Sequence, residues 1–412
     1  MALIVQKFGG TSVGSLERIR KVASRVAAAR ARGDQLIVVV SAIAGETDRL
    51  LSLGRDLSER PTDREMDVLV ATGEQVSSAL LSIALNELGC PARSLLGHQV
   101  RILTDEVHTK ARIRTVDNSR LLQTVEEGCV AVVAGFQGVG PKGDLTTLGR
   151  GGSDTTAVAL AAAVQADVCE IFTDVDGVYT ADPNVCRNAR KVPRISYEEM
   201  LEMASLGAKV LQIRSVELAM KYAVPIHVRS SFTDTEGTMV VGEDRSLEAV
   251  VVAGVTSDKN ETKLTVKSVP DTPGIVARIF EPLADNNISV DMIIQNVGEE
   301  GTTDLTFTVT KDDVECATEI AQATSDAIGA KGVLVDSDVV KVSIVGLGMR
   351  SHAGIAAQMF RIMAEHNVNI QAISTSEIKV SCLIHAKYGE LSVRVLHDSF
   401  GLGDGQIPGS AE

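Results

Sequence analysis

Arg150 stands among glycines. Residues 146–183 read TTLGRGGSDTTAVALAAAVQADVCEIFTDVDGVYTADP, with Gly149, Gly151 and Gly152 around one guanidinium. Glycine admits positive φ and lets the backbone approach a ligand closely. Ser153 and Asp154 are expected at the N-cap of an Ala-rich helix running to about Gln165. The N–H groups and dipole of such a helix start suit an anion. Cys169–Thr173 is a short apolar run, expected as a buried strand, and it empties into Asp174, Asp176, Gly177 and Tyr179. In open α/β sheets ligands collect at such strand ends. A capped helix beside a turn would account for Ser153 or Gly177 alone. An arginine set in glycines near three carboxylates reads as a site for a charged ligand.

Lys7 lies at the end of the first apolar run and precedes Gly9 and Gly10. A buried ammonium needs a partner. A phosphate cradled by the glycine amides would serve, and a surface lysine at a strand end fits the local sequence equally well. Glu74, in the middle of a long helical pattern, reads either as a ligand group or as a solvated helix carboxylate. No GxxxxGK[ST] loop occurs, and the GxGxxG at Gly138–Gly143 contains Pro141 and opens no helix, so it is no dinucleotide fingerprint. The seven histidines show no HxxxH or HExxH spacing, so no protein-fixed metal is expected.

The elements that must position these groups follow from periodicity. Leu3–Phe8 is expected as a strand, Ser15 as the cap of a helix ending near Gly33, and Leu36–Val40 as the next strand. That order predicts a parallel sheet with crossover helices. A helix is predicted over Arg64–Leu88, strands over Cys129–Phe136 and Pro225–Arg229, and one or two helices over Tyr197–Lys221. The pattern changes near Phe232–Gly242, and beyond it the chain repeats itself. Gly274-Ile275 and Phe280 recur 80 residues later as Gly354-Ile355 and Phe360, and Asn287 and Ile293 recur as Asn367 and Ile373. Each copy reads as βαββαβ.

Composition sets the class. The chain has 412 residues, 44% hydrophobic but only 3% aromatic, which favours α/β layers packed from Ala, Val, Ile and Leu. A net charge of −14 argues against nucleic acid and anionic membranes. No apolar run is expected to reach the roughly 18 residues of a membrane span. The start has no basic n-region of a signal peptide, and the six cysteines form no CxxC pair, so a cytoplasmic protein with reduced core thiols is expected.

Several motifs together resemble aspartokinase: Lys7-Phe8-Gly9-Gly10-Thr11-Ser12, Val40-Ser41-Ala42, Gly73-Glu74, Gly135-Phe136-Gln137-Gly138, Leu148-Gly149-Arg150-Gly151-Gly152-Ser153-Asp154 and Thr173-Asp174-Val175-Asp176-Gly177-Val178-Tyr179. They come in the family's order over essentially the whole chain. The resemblance implies an α/β amino-acid-kinase domain, a parallel-rich sheet sandwiched by helices, over 1–235. Connecting strands over 236–262 would lead to two ferredoxin-like βαββαβ ACT domains over 263–337 and 338–402, with a flexible tail over 403–412.

By resemblance, the activity is ATP-dependent phosphorylation of the L-aspartate β-carboxylate, opening lysine, threonine and methionine synthesis. Lys7, Gly9 and Gly10 would meet the ATP phosphates with Mg²⁺ near Asp154, and Asp154 would orient Lys7. Arg150 would clamp the α-carboxylate and Glu74 the ammonium, with Ser41, Thr47, Gly151, Gly152 and Ser153 completing the substrate pocket. Thr173, Asp174, Tyr179, Asp182, Lys209 and Val210 would hold the nucleotide. The family usually carries Arg where Asn184 stands here, which leaves Arg187, Lys191 or backbone groups to face the phosphates. Asp271, Gly274, Ile275, Asp291, Gln295 and Asn369 would bind a lysine or threonine inhibitor, although a duplicated packing module explains the repeat without any ligand. A homo-oligomer is implied, or an α₂β₂ assembly with an ACT-only subunit started internally at Met239.

Overall fold

The computed structural model describes residues 2–206, 210–243, 252–296, 301–350, 352 and 354–403. They fall into two compact units. One comprises Met1–Tyr179, Lys191–Ala204 and Lys209–Arg245, and the other Thr180–Arg190, Ser205–Ala208 and the chain from Ser246 onward.

Through residue 241 the elements are β1 (Leu3–Phe8), α1 (Leu16–Ala31), β2 (Gln35–Val40), α2 (Glu46–Leu57), α3 (Asp63–Glu87), β3 (Ala92–Leu95), β4 (Ile102–Thr104), β5 (Ile113–Val116), α4 (Ser119–Glu126), β6 (Val130–Ala134), β7 (Gln137–Val139), β8 (Leu145–Thr147), α5 (Gly152–Val164), β9 (Val168–Thr173), β10 (Arg194–Ser196), α6 (Tyr197–Ser205), α7 (Ile213–Tyr222), β11 (Ile226–Ser230) and β12 (Thr238–Val241). Ser15 caps α1, its side chain accepting from Arg18 N. The main sheet runs β10-β12-β11-β9-β1-β2-β6-β3, parallel except where β12 opposes β11. A second sheet, β5-β4-β7-β8, stands apart from it.

Alternation sorts the strand residues onto two faces. Phe8, Leu36, Val38, Val40, Val130, Val132 and Phe172 join Ile19, Val22 and Val26 of α1 and Leu81 and Leu85 of α3 in one core. Lys7 points the other way, towards α5. The helix α3 is long and apolar enough to cross a membrane by length and composition alone, contrary to the expectation from its sequence, yet half of its most apolar window is buried inside the protein. It is a core helix of this unit.

The expected boundary at 235 does not hold, because β12 belongs to the main sheet through β11 and β10. The second unit contains β13 (Gly254–Asp258), β14 (Glu261–Pro270), α8 (Ile275–Asp285), β15 (Ile294–Gln295), β16 (Thr302–Thr310), α9 (Val314–Ile328), β17 (Val333–Asp336), β18 (Val339–Val345), α10 (Ile355–Glu365), β19 (Ile370–Thr375), β20 (Lys379–His385) and α11 (Gly389–Ser399). The first copy is a continuous βαββαβ with sheet order β15-β16-β14-β17. The second copy is not. Its sheet runs β13-β18-β20-β19, so the edge strand comes from before the first copy, within the segment expected to hold connecting strands. Of the expected tail, Gly403 bridges Ala189 and residues 404–412 lie outside the described residues.

The two copies meet across charge as well as apolar surface. Met292, Val339, Ala372 and Leu383 share one cluster. Lys341, 3% exposed, pairs with the buried Glu261 and with the half-exposed Asp291. Glu261 and Lys341 hold the same place in the repeat, 80 residues apart. Removing one partner of a buried pair strands the other charge. Lys341→Met is therefore expected to cost about 3–5 kcal/mol in urea unfolding, with most of it recovered in Lys341→Met combined with Glu261→Gln. Equal losses in the single and double variants would refute the pairing.

Candidate active site

Parallel pairing brings the carboxyl ends of β1, β2, β6, β9 and β11 to one edge. Lys7 is the penultimate residue of β1, and its Nζ lies 2.6 Å from Asp154 Oδ1, both side chains 11% exposed. Gly9 N donates to Phe172 O at 3.3 Å and Gly10 O accepts from Ala44 N at 3.2 Å. A Cβ on Gly10 would stand 2.8 Å from Ala42 O, so this loop closes only on glycine.

The turn before α5 is built on left-handed glycines, with φ of 77° at Gly149 and 70° at Gly151. Gly151 is itself the N-cap, and no side chain caps the helix. This corrects the expected cap at Ser153 and Asp154. The helix begins two residues earlier than a Ser153 cap would allow, and both side chains are left to line the cleft. A Cβ on Gly151 would sit 2.1 Å from Gln212 Cγ, and one on Gly152 would sit 2.8 Å from Phe136 Cδ2. Arg214 clamps the turn from α7, donating to Leu148 O at 2.6 Å and Ala111 O at 2.8 Å. Asp67, fully buried in α3, accepts from Thr147 Oγ1 at 2.5 Å, His108 Nδ1 at 2.7 Å and Thr109 N at 3.0 Å. Sequence reading missed Arg214, Gln212, Asp67 and His108, since each acts on a loop far away in the chain and none sits in a motif.

Glu74 is 3% exposed. Its Oε1 accepts from Ala42 N at 3.0 Å, and its Oε2 is buried with no donor among the described residues. Gly73 permits this approach, because a Cβ there would lie 2.7 Å from Ala42 Cβ. Burial pushes the Glu74 carboxyl up to about 7, against the lowering effect of the Ala42 N–H. Arg150 is exposed and has no ion-pair partner among the described residues. A cleft of about 1030 Å³ is lined by Lys7, Gly10, Ser41, Thr47, Glu74, Arg150, Gly151, Gly152, Ser153 and Asp154. The structure thus gathers these residues from four segments into one cavity with a carboxylate oxygen and a guanidinium that have no partner among the described residues.

The other expected residues are distributed as follows. Thr173 and Asp174 end β9 beside the Gly9 turn, with Thr173 Oγ1 bonded to Asp174 Oδ1 at 3.1 Å. Asp176 accepts from Tyr179 Oη at 2.8 Å and pairs with Lys191 at 3.1 Å, so the turn holds its own cation. Asp182 lies in the second unit, where its carboxylate closes a turn by accepting from Asn184 N at 2.8 Å. Val210 is half-buried in the turn before α7, and Lys209 lies outside the described residues. In the second unit Gly274 is the left-handed N-cap of α8 at φ 87°, Ile275 is buried behind it, and Asp271 is exposed. Gln295 on β15 and Asn369 before β19 are exposed. Asp291, expected to await a ligand ammonium, already holds that of Lys341. Among the described residues no three His, Cys, Asp or Glu side chains converge as a metal site.

The amino acid kinase family profile matches residues 2–230, and ACT domain profiles match residues 263–324 and 342–400. The aspartokinase of Pseudomonas aeruginosa is 56% identical over 98% of each chain. The chain belongs to the aspartate kinase family. The aspartokinase of Mycolicibacterium smegmatis is 49% identical over 98% of this chain and 97% of its own. The crystal structure of Escherichia coli aspartokinase III in complex with aspartate and ADP, in its R-state, superposes with a TM-score of 0.80 at 27% identity, covering 96% of this chain and 99% of that one. The aspartate kinase assignment places the cleft in the kinase domain and the repeat in the ACT region.

Glu74 gives this cleft a pH signature. Between the ordinary value of 4.5 and about 7 the folded protein holds a proton on Glu74 that the unfolded chain has lost. Stability therefore falls as pH rises through that window. Glu74→Gln removes the term and is expected to be more stable than the parent at pH 8 by roughly 1–3 kcal/mol, with little gain at pH 4.5. Urea unfolding at both pH values measures it, and a pH-independent difference would sink the assignment.

Proposed function

We propose that this chain transfers the terminal phosphoryl group of ATP to the β-carboxylate of L-aspartate, giving 4-phospho-L-aspartate, the entry to lysine, threonine and methionine synthesis. The observation that carries this reading is that a Glu74 oxygen and the Arg150 guanidinium, neither with a partner among the described residues, share the cleft that also holds Lys7. Glu74 takes the substrate ammonium. Arg150 takes the α-carboxylate with a fork geometry that lysine lacks. The β-carboxylate is then directed at Lys7. A carboxylate is already ionised near neutrality, so the nucleophile requires no general base. What the reaction needs is two anions held together and charge neutralised on the transferring group.

Lys7, held by Asp154, supplies the fixed cation, and the Gly9 and Gly10 turn brings the backbone close to the nucleotide phosphates. Thr173, Asp174 and Tyr179 hold the nucleotide, and Lys191 stands beside their turn in place of the arginine absent at 184. Mg²⁺ bound with ATP would supply charge neutralisation on the phosphates, and Asp154 is the carboxylate of the cleft that would hold it. The ACT region reports lysine or threonine through Asp271, the Gly274 turn, Gln295 and Asn369. Support comes from the Escherichia coli aspartokinase III structure in complex with lysine and aspartate, its T-state. A homo-oligomer is the simplest assembly. A second subunit started at Met239 would still carry β13 and so complete both ACT sheets.

Hydroxylamine trapping of acyl phosphate tests the reaction. We expect ATP-dependent turnover with L-aspartate and none with N-acetyl-L-glutamate, falling when lysine or threonine is added. No turnover on aspartate would reject the proposal, and turnover insensitive to both amino acids would reject the sensor. Arg150→Lys is expected to raise KM for aspartate about 10–100-fold with a smaller change in kcat, since a bidentate clamp on bound substrate is lost.

Binding should also titrate Glu74. An ammonium favours the ionised carboxylate, so aspartate must displace a proton below about pH 7. Calorimetry at pH 6 in buffers of different ionisation enthalpy should show release of up to about one proton, and no release in Glu74→Gln. Equal proton release by both would exclude Glu74 as the ammonium site.

A further inference from the structure

On the face of the main sheet opposite α5, a second cavity of about 430 Å³ opens between α1 and the strands β1, β9 and β11. It takes no part in the reaction proposed above. Gln6 and Glu170 face each other in register on β1 and β9. Glu170, 8% exposed, accepts from Gln6 Nε2 at 2.7 Å and from Arg229 Nη1 at 2.8 Å. An ionised carboxylate can only accept, so this contact fixes the Gln6 amide with its nitrogen on Glu170 and its oxygen turned away. That Oε1 is buried on a side chain 3% exposed, has no donor among the described residues, and belongs to a residue lining the cavity. Leaving a buried acceptor unmet is unfavourable, so a donor from outside the chain is the expected occupant.

The rest of the cavity defines that occupant. Phe172 is 1% exposed, with Phe8 stacked at 4.6 Å and the guanidinium carbons of Arg25 and Arg229 at 5.0 Å and 5.5 Å from its ring centroid, so its ring offers a ligand no open face. Arg25 is tied to Ser230 O at 2.9 Å and Asp234 Oδ1 at 2.9 Å, and Arg229 to Glu170. Arg32, at the end of α1, is exposed, lines the same cavity and has no carboxylate partner among the described residues. Acceptors thus lie deep, a cation with no carboxylate partner among the described residues lies at the rim, and Ala28 and Ala29 of α1 line the same cavity. A phosphate or dicarboxylate would press its oxygens on Gln6 Oε1 and Glu170. A simple amine would leave Arg32 unused.

We propose that this cavity binds a free aliphatic α-amino acid, its ammonium on Gln6 Oε1 and Glu170, its carboxylate on Arg32 and its side chain against Ala28 and Ala29 of α1. The ligand would rest on the two strands whose ends form the Lys7 and Thr173 turns, joined there by the Gly9 N to Phe172 O bond.

Titration calorimetry of the full chain with L-leucine tests it, using 3-methylbutylamine and 4-methylpentanoate as probes that each lack one charge. We expect L-leucine to bind, both probes to bind at least about tenfold more weakly, and Arg32→Ala to weaken L-leucine about tenfold. Ala28→Phe, a change on the exposed side of α1 that projects a ring across the mouth, should abolish binding. Arg32→Ala alters an exposed, unpaired side chain and reports even if the Ala28 variant fails to fold. Hydrogen exchange should show L-leucine protecting 4–8 and 168–173 in the parent only. No binding of L-leucine, equal binding by parent and Arg32→Ala, or a crystal grown with L-leucine holding only water against Gln6 Oε1 would overturn the proposal.

Discussion

A lysine ammonium at the inner end of a central strand has to be neutralised where it stands, and Asp154 does so at 2.6 Å. Much of the kinase unit follows from that requirement. The carboxylate must come from an element crossing the end of β1, which fixes where α5 starts. The helix can start there only because Gly149 and Gly151 take left-handed φ and Gly152 leaves room for Phe136. Phe136 pays for the fit with a φ of 69°, an αL conformation that non-glycine residues adopt at some energetic expense. Its N–H donates to Thr156 Oγ1 at 3.1 Å and its carbonyl accepts from Leu148 N at 2.9 Å, which locks the conformation in place. The same geometry leaves Arg150 exposed at the open side of the turn, with no ion-pair partner among the described residues.

The parts of this site that were legible in the sequence are those whose neighbours in space are also neighbours in the chain. The strand end at Lys7, the glycines after it and the Gly-Arg-Gly-Gly turn announce themselves by composition, because a backbone bend with positive φ has few alternatives to glycine. The props are different. Asp67 meets Thr147 across 80 residues, and Arg214 meets Ala111 across 103. Their side chains carry no local signature, and an acid in a helix or an arginine near a helix start usually means solvent. The cap at α5 was misplaced for a related reason. Serine and aspartate are strong N-cap residues, but a left-handed glycine just before them can begin the helix without a side-chain acceptor.

The repeat shows where periodicity stops informing. An 80-residue offset identified two copies, and matched features recur at that offset: Gly274 and Gly354 both start helices at positive φ, and Asn287 and Asn367 follow them at 57° and 54°. Offset says nothing about which strand closes each sheet. The first copy ends in β17, which pairs antiparallel with β14, whereas the second takes β13 from upstream in the equivalent position beside β18. One copy is therefore inserted into the other, and neither sheet edge beside β14 or β18 is left open. A sheet edge without a partner exposes its backbone groups, so this exchange ties the second copy's completeness to residues on the far side of the first.

Charge placement separates structure from function across both units. Lys341 lies between Glu261 and Asp291, so every ion there has its partner inside the protein, and the arrangement serves the joint between repeats. From sequence Asp291 looked available to a ligand, because the lysine that claims it lies 50 residues away. Glu74 is the opposite case: a buried carboxyl with one oxygen satisfied by Ala42 and the other by no donor among the described residues, its pKa pushed up to about 7 by burial. A protein selected for stability alone would place an apolar residue or a glutamine there, since an uncompensated buried acid lowers stability at neutral pH. The cost makes sense only if a cation arrives. Arg150, exposed in the same cleft and without an ion-pair partner among the described residues, calls for the matching anion, and a ligand carrying both charged groups on one carbon satisfies the pair at once.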